Sequence, residues 1–345
     1  MFDNLENTID QKNIVIMPDF YMDRIVRLES QDQLFSALSE KAKYGGGSLR
    51  EIPTIDIRGG NAVNIAYCLA RMGARITLIT IADEIGSIVL ERTFSKFKDA
   101  VNLRILSGNP GRTTALEFLG KKTSKINLMI SDVGDIANFG PERISARQDI
   151  EILKKANGIM IVNWAANRKG TELMKYVFKH SSNAFHFVDP ADIETRKDEF
   201  RIALSKVGDM IDILSLNENE CNSLGLALGF DSLLSPGNYN KEDIKNSSNK
   251  LASTLGINIE IHTSRGTSWS NGSEAVYVDA IKVKAKTLTG AGDSWDAANI
   301  LAHMAGLNPE EALIFSNAYA SLYVKSNDRE PATMTELLKY LRKNH

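Results

Sequence analysis

Short apolar runs alternate with longer amphipathic segments along most of the sequence, and this alternation strongly limits the possible folds. The runs are rich in β-branched residues and have the length of strands buried on both faces. They cover residues 13–17, 75–81, 158–164, 184–189, 211–216 and 259–264. Because helices that alternate with such strands cover both faces of a sheet, the pattern predicts an α/β protein with a mostly parallel sheet between two helical layers.

The segments between these runs repeat their apolar residues at helical spacing. The pattern predicts helices at residues 62–72, 86–97, 170–179, 219–228 and 241–255. The C-terminal part is predicted to be helical throughout, over residues 293–304, 309–324 and 334–341.

Two stretches interrupt the alternation, at approximately residues 19–58 and 107–131. In the first, residues 44–47 are predicted to form a loop, and residues 52–57 alternate with period two. In the second, residues 113–130 are typical of two strands around a polar turn at 120–125. We predict that both stretches form a small β-sheet lid inserted in one domain that spans residues 1–345.

Charge and cysteine content exclude several classes of protein. The chain has 345 residues and a formal net charge of −2, so it lacks the basic field of a nucleic-acid-binding protein. Its two cysteines, Cys68 and Cys221, are far apart and suggest neither a disulfide framework nor a zinc site. The polar start does not resemble a signal peptide, and no apolar run approaches the ~20 residues that cross a bilayer. We therefore expect a soluble, cytoplasmic protein.

The stretch "TLTGAGDSWDAANI", residues 287–300, combines small residues, a carboxylate and a helix. A glycine-rich turn at a helix N-terminus offers free backbone N–H groups to a phosphate, so Gly290, Ala291 and Gly292 are candidates for an anion site. Asp293 would then take a proton from a hydroxyl group that attacks phosphorus. The alternative is a plain helix start with Asp293 as N-cap, and the segment alone leaves both open.

Two other phosphate motifs do not fit the sequence. The nearest match to a Walker A loop, "EFLGKKT", lacks the first glycine of that motif. A dinucleotide fingerprint fails as well, because Trp295 stands where the third glycine belongs and the motif lies far from the first βαβ unit.

A second glycine motif, Gly59–Gly60, precedes the helix that begins near residue 62. Asn61 and Asn64 lie three residues apart, so both amides can face one cleft and bind sugar hydroxyls. The alternative is a tight turn with capping asparagines.

A third motif, Asn217 and Glu220, follows a strand at a helix start. Such oxygen ligands suit a Mg²⁺ ion held through its waters. The alternative is an ordinary capped helix, which this segment alone favours.

Taken together, the three motifs resemble the ribokinase-like (PfkB) family of carbohydrate and nucleoside kinases. "GGNAVN" at residues 59–64 is similar to the first family signature and "LTGAGDSWDAAN" to the second, while "LNENE" resembles the family's N-x-x-E motif. The similarity spans roughly residues 13–324. It implies a three-layer α/β/α core with a β-sheet lid, and transfer of the terminal phosphoryl group of a nucleotide to a hydroxyl group.

The resemblance also implies roles for individual residues. Asp293 would be the base, with Gly290, Ala291 and Gly292 as the anion hole, and Asn217 and Glu220 would act on Mg²⁺ through water. The acceptor would be bound by Asp23, Gly59, Gly60, Asn61 and Asn64. The nucleotide would lie near residues 262–269, with Thr263, Arg265 and Gly266, and near Asn317. The donor is ATP or ADP, and the acceptor a sugar, nucleoside or sugar phosphate.

The sequence departs from the family pattern at several positions. Thr287 stands where the family usually has an acidic residue, and Asn61 stands where a lysine is common. The glycine triplet at residues 45–47 is not general to the family, and its role is left open. The chain resembles an archaeal-type subgroup, in which the donor is not always ATP.

Two other functions compete with the kinase. A catalytically silent sugar- or nucleotide-binding protein on the same fold should lack the base, and Asp293 is present; a Rossmann dehydrogenase needs the missing third glycine. Among the basic residues, Arg168 is the candidate for contact with a phosphorylated acceptor. An exposed lid strand needs covering, so a homodimer through the lid is expected.

Overall fold

A computed structural model of the protein describes residues 12–119, 125–235, 237–287, 289–326 and 330–344. The strands form two sheets, one of nine strands and one of four. The strands are β1 Asn13–Met17, β2 Tyr21–Ser30, β3 Thr54–Gly59, β4 Arg75–Ala82, β5 Val101–Ser107, β6 Gly111–Leu119, β7 Lys125–Asp132, β8 Gly158–Val162, β9 Phe185–Asp189, β10 Ile213–Asn217, β11 Ile259–His262, β12 Gly266–Ser270 and β13 Ala275–Asp279.

The helices alternate with the strands of the large sheet and then close the chain. They are α1 Gln31–Lys43, α2 Asn61–Arg71, α3 Glu84–Thr93, α4 Arg147–Lys154, α5 Gly170–His180, α6 Lys197–Val207, α7 Glu218–Ala227, α8 Lys241–Leu255, α9 Ala291–Met304, α10 Pro309–Lys325 and α11 Met334–Asn344. Every helix predicted from periodicity is present, with bounds that differ by a few residues.

The nine-stranded sheet has the order β13-β12-β11-β10-β9-β8-β1-β4-β5. From β11 to β5 all neighbouring strands are parallel, and only β12 and β13 add antiparallel pairs at one edge. The predicted mostly parallel sheet is confirmed. The edge hairpin was not predicted, because "GTSWS" is too polar to be read as a buried strand.

Alternate side chains of each central strand enter two separate cores. In β1, Ile14 and Ile16 pack with the core that contains α2, α9, α10 and α11, whereas Val15 and Met17 pack against α5, α6, α7 and α8 on the other face. All four side chains are fully buried. The period of two in a strand thus gives the sheet two apolar faces and the protein three layers, as predicted.

The small sheet has the order β3-β2-β6-β7, and its strands fall almost entirely within the two stretches predicted to form the lid. Strand β3 ends at Gly59, just before α2, so one end of the lid lies over the Gly59–Gly60 motif. Helix α1, between β2 and β3, was not predicted, since its apolar residues Phe35 and Leu38 are exposed and form no buried stripe. Of the predicted lid turn at residues 120–125, residues 120–124 lie outside the described residues, and Lys125 is the first residue of β7.

Among the described residues, no helix combines the length and apolar character needed to cross a membrane.

Candidate active site

The glycine-rich stretch at residues 290–292 forms the turn that begins α9. Gly290 is the N-cap residue, with a left-handed backbone (φ 84°) and no side-chain cap. A Cβ at this position would lie 2.6 Å from the Tyr323 hydroxyl oxygen, and the positive φ would strain any residue other than glycine. The backbone N–H groups of the first helical turn have no intrahelical acceptor and point toward the positive end of the helix dipole. The turn therefore has the geometry of an anion site.

Asp293 lies in the first turn of α9 and is not its N-cap, which removes the plain capping alternative. Its side chain is 8 % exposed, and its Oδ2 accepts a 2.8 Å hydrogen bond from Nδ2 of Asn64. Burial, with the nearby carboxylates of Asp189 and Asp19, raises the pKa of Asp293 to about 8, against the lowering effects of Asn64 and Arg58. A carboxyl group with this pKa is mostly protonated at neutral pH, and its ionised form, whose share grows toward pH 8, is the form that can accept a proton.

Two cavities meet at the glycine turn. One, of about 490 Å³, lies under the lid and is lined by Thr289 from the turn and by Asn64 from α2. The other, of about 630 Å³, lies between β11, β12 and α10 and is lined by Ala291 and Gly292. We call them the lid cavity and the helix cavity. Their linings share no residue, so the turn separates them.

The lid cavity collects part of the predicted acceptor set. Asp23, Gly59 and Asn64 line it, and the Asp23 carboxylate lies where a Cβ of residue 59 would be. Gly60 does not line it. Its backbone (φ 95°) passes so close to the chain at Asp19–Tyr21 that a Cβ would contact backbone atoms at 2.9–3.1 Å.

Asn61 and Arg168 are placed away from the lid cavity. The Asn61 side chain faces Asp189, and its backbone N–H donates to Oδ2 of Asp19 at 2.9 Å. Arg168 is exposed, and its backbone N–H donates to the carbonyl of Ala137 at 2.8 Å. Contact of either residue with the acceptor stays a prediction.

Asp19, which sequence reasoning overlooked, holds the start of α2. Its carboxylate is fully buried and accepts hydrogen bonds from the N–H groups of Asn61 and Ala62, at 2.9 and 2.8 Å. It accepts a third bond from Nδ2 of Asn163, at 3.0 Å. The N-terminus of α2 is thereby capped from the loop after β1, and burial raises the pKa of the Asp19 carboxyl.

The helix cavity collects part of the predicted nucleotide set. Asn217, Thr263 and Asn317 line it. The Asn317 amide is held by Trp295, whose Nε1 donates to its Oδ1 at 2.9 Å. Arg265 points elsewhere, donating to the carbonyls of Gly237 and Tyr239.

Gly266 lies outside this cavity. Its missing Cβ leaves room for the Tyr277 hydroxyl, which would otherwise be 2.2 Å away.

Asn217 and Glu220 form a capping box at the start of α7. The Asn217 side chain accepts from the N–H groups of Asn219 and Glu220, and Glu220 Oε2 accepts from the N–H of Asn217 at 2.8 Å. Nδ2 of Asn217 also donates to Glu220 Oε1 at 2.6 Å. Burial raises the pKa of Glu220 well above its usual value. The described residues contain no group of three or more His, Cys, Asp or Glu that could hold a metal directly.

Several cavity residues were not found from the sequence. Arg58, Tyr67, Arg92 and Lys96 line the lid cavity. His262, which begins the stretch predicted to lie near the nucleotide, lines the helix cavity. His262 stacks on Trp295 at 5.0 Å between ring centroids, and burial lowers its pKa to about 4, so it is neutral. Arg58 directly precedes Gly59 in the sequence, and this place beside the glycine motif could have identified it as a candidate site residue.

Comparison with known proteins identifies the family. Residues 46–332 match the family described as "pfkB family carbohydrate kinase". The chain belongs to the pfkB family of carbohydrate kinases. It is thus a phosphotransferase with an α/β ribokinase-like fold, as the motifs predicted.

Individual relatives are distant. A "5-dehydro-2-deoxygluconokinase" of Clostridium tetani is 24% identical over 78% of this chain and 78% of its own. Among solved structures, an Arabidopsis thaliana ribokinase complexed with ribose and ATP has a TM-score of 0.72 at 21% identity, covering 96% of this chain and 98% of that one. A Sinorhizobium meliloti adenosine kinase has a TM-score of 0.68 at 16% identity, covering 97% and 99%. These relatives are bacterial or from a plant and do not support an archaeal subgroup.

Proposed function

We propose that this pfkB-family kinase transfers the terminal phosphoryl group of ATP, bound in the helix cavity, to a hydroxyl group of a sugar-like acceptor in the lid cavity. The observation that carries the proposal is the position of residues 289–293. Thr289 faces one cavity, Ala291 and Gly292 face the other, and Asp293 follows directly. A phosphate at the turn is then within reach of a hydroxyl group beside Asp293.

In this proposal Asp293 accepts the proton of the attacking hydroxyl group. Asn64 donates to Oδ2, which fixes the carboxylate and favours its ionised form. The N–H groups of the turn stabilise negative charge on the moving phosphoryl group, because they are already oriented before the reaction begins. Positioning and charge neutralisation supply most of the rate in phosphoryl transfer, so little further chemistry is required of the protein.

A Mg²⁺ ion fits the proposal as a hydrated ion. Each oxygen of Glu220 accepts one hydrogen bond from Asn217 and keeps a further lone pair for a metal-bound water. A nearby cation would stabilise this buried carboxylate, whose pKa is raised. When bound, the ion would neutralise charge on the phosphates of the nucleotide.

The test is phosphoryl transfer from ATP, and separately from ADP, to a panel of sugars, nucleosides and sugar phosphates. Asp293→Asn is measured beside Asp198→Asn, an exposed carboxyl group on α6 that serves as control. We expect turnover that falls by at least about 100-fold in Asp293→Asn and is unchanged in the control. Nucleotide binding without turnover on a broad panel would instead favour a binding protein on the same fold.

A further inference from the structure

Three basic side chains line the lid cavity, which is where the proposed function places the acceptor. They are Arg58 from β3, Arg92 from α3 and Lys96 from the turn that follows α3. A neutral sugar needs hydrogen-bonding groups but no group of cations. The dipole of α3 could explain a cation in its last turn, where Arg92 lies. It does not explain Lys96, which lies beyond the helix, or Arg58, which belongs to another element.

Arg58 is fixed inside this cavity. Its guanidinium group lies 4.0 Å from the ring centroid of Tyr67, and its Nη1 donates to Oδ1 of Asn64 at 2.9 Å. Burial lowers the pKa of Arg58, and no carboxylate within the described ranges forms an ion pair with it. A partly desolvated cation that forms no ion pair is costly even with the Glu330 carboxylate in its vicinity, and an anion that enters the cavity would lower that cost.

Arg92 and Lys96 are brought next to Arg58 by aromatic packing. Tyr67 makes edge contacts with Phe94 and Phe97, at 6.0 and 5.8 Å between centroids, so the ring under Arg58 also supports the segment that carries both cations. Arg92 and Lys96 are exposed, and in the part of the chain that the structure describes neither forms an ion pair. Both remain available to a ligand.

The lining of the lid cavity also contains two acidic residues, and both lie away from Arg92 and Lys96. Glu330 forms an ion pair with Arg71 at 3.3 Å and accepts from the Tyr67 hydroxyl group at 3.0 Å. Asp23 lies over Gly59 on the lid side. Neither carboxylate is within ion-pair distance of Arg92 or Lys96. The helix cavity has none of these three cations in its lining, so they serve the acceptor side.

We propose that the acceptor of this kinase is anionic, a sugar acid or a sugar phosphate, and that Arg58, Arg92 and Lys96 bind its carboxylate or phosphate group. The inference rests on the proposed function, because it assumes that the lid cavity holds the acceptor. The reacting hydroxyl group would then lie at the opposite end of the acceptor, near Asn64 and Asp293. A carboxylate and a phosphate share the chemistry that a guanidinium group recognises.

The test compares acceptors that differ in charge on the same skeleton. Glucose is compared with gluconate, and fructose with fructose 6-phosphate, by calorimetric binding to the nucleotide-free protein and by steady-state kinetics with ATP. The variant is Arg92→Gln/Lys96→Gln, and the matched control is Lys98→Gln, an exposed lysine two residues further along that lines neither the lid cavity nor the helix cavity.

We expect at least one anionic compound to bind more tightly than its neutral partner. In the double variant its Kd and KM should rise about tenfold to hundredfold with little change in kcat, while the neutral compounds and the Lys98→Gln control are unaffected. A preference for gluconate over glucose would identify the anion as a carboxylate, and a preference for fructose 6-phosphate over fructose would identify it as a phosphate.

The proposal is overturned if neutral compounds bind as well as their charged partners, or if the double variant weakens all compounds equally. Because binding is measured without nucleotide, these outcomes are independent of catalysis. Selective anion binding without turnover by any acceptor would count against the proposed function and still support the anionic site.

Discussion

At the scale of single residues, the proposed function depends most on Asp293. A carboxyl group that is buried among other carboxylates holds its proton to a higher pH than one in water, and here the pKa is raised to about 8. The residue was recognised from the sequence by its place after the glycine turn. Its raised pKa could not be predicted from the sequence, because the burial of Asp293 and its closeness to Asp19 and Asp189 depend on residues far away in the chain.

The first prediction concerns Asp293 and pH. The folded protein keeps the proton up to about pH 8, whereas an unfolded chain releases it near 3.8, so Asp293 lowers the stability of the fold increasingly as pH rises between these values. We expect Asp293→Asn to match the wild type at about pH 4 and to be more stable by a few kcal/mol (order of magnitude) at about pH 9. Chemical denaturation at several pH values measures this.

The control for this prediction is Asp198→Asn, whose carboxyl group is exposed. Its stability relative to the wild type should not change over the same pH range. If Asp293→Asn and the wild type had parallel stability curves, Asp293 would have an ordinary pKa in the folded protein.

At the scale of secondary-structure elements, the site depends on how α2 and α9 begin. Helix α9 begins with Gly290, which leaves its first N–H groups open, whereas α2 begins under the Asp19 carboxylate, which occupies them. Two helices that both follow glycine motifs therefore differ in what they offer a ligand. The difference arises because Asp19 comes from the loop after β1, some forty residues earlier in the chain.

The second prediction tests the cap of α2. Asp19→Ala would leave two helix N–H groups and the Asn163 amide without their acceptor in a buried place, so we expect a loss of about 3 kcal/mol in the free energy of unfolding. Asn308→Ala removes the exposed cap of α10 and should cost about 1 kcal/mol. Urea denaturation measures both variants. Equal losses would show that Asp19 acts only as an ordinary surface cap.

At the scale of the whole molecule, the lid places an apolar surface at the edge of the small sheet. Strand β7 is an edge strand, and its side chains Leu128, Met129 and Ile130 are 52, 55 and 60% exposed. An exposed apolar edge strand readily pairs with another chain. Homodimerisation through the lid, which the sequence led us to expect, is consistent with this surface and stays a prediction.

The third prediction tests that dimer. We expect the wild type to sediment as a dimer of the 38.1 kDa chain, and Leu128→Glu/Ile130→Glu to sediment as a monomer, because two charges on the edge oppose pairing. Ile202→Glu, at an exposed isoleucine on α6, is the control and should stay dimeric. Sedimentation velocity distinguishes these outcomes. A wild type that is monomeric at high protein concentration would contradict the prediction.

Sequence periodicity was enough to predict the central strands and helices, because each is stabilised by its own buried face. Strand β1, for example, has the predicted bounds, since all but its first residue contribute to one of the two cores. The exposed helix α1 and the polar strand β12 were missed, because neither has a pattern of its own. β12 is buried by β11, β13 and α8, which the sequence does not place beside it.

The sequence by itself determined the fold class, the family and the residues of the glycine turn, because these depend on local patterns and short motifs. Only the tertiary structure decided which motif residues share a cavity. It placed Asn64 beside Asp293, turned Asn61 and Arg265 away, and brought Arg58, Arg92 and Lys96 together. The physical reason is that charge, burial and hydrogen bonding at a site act across space, between side chains whose distance along the chain carries no information about their contact.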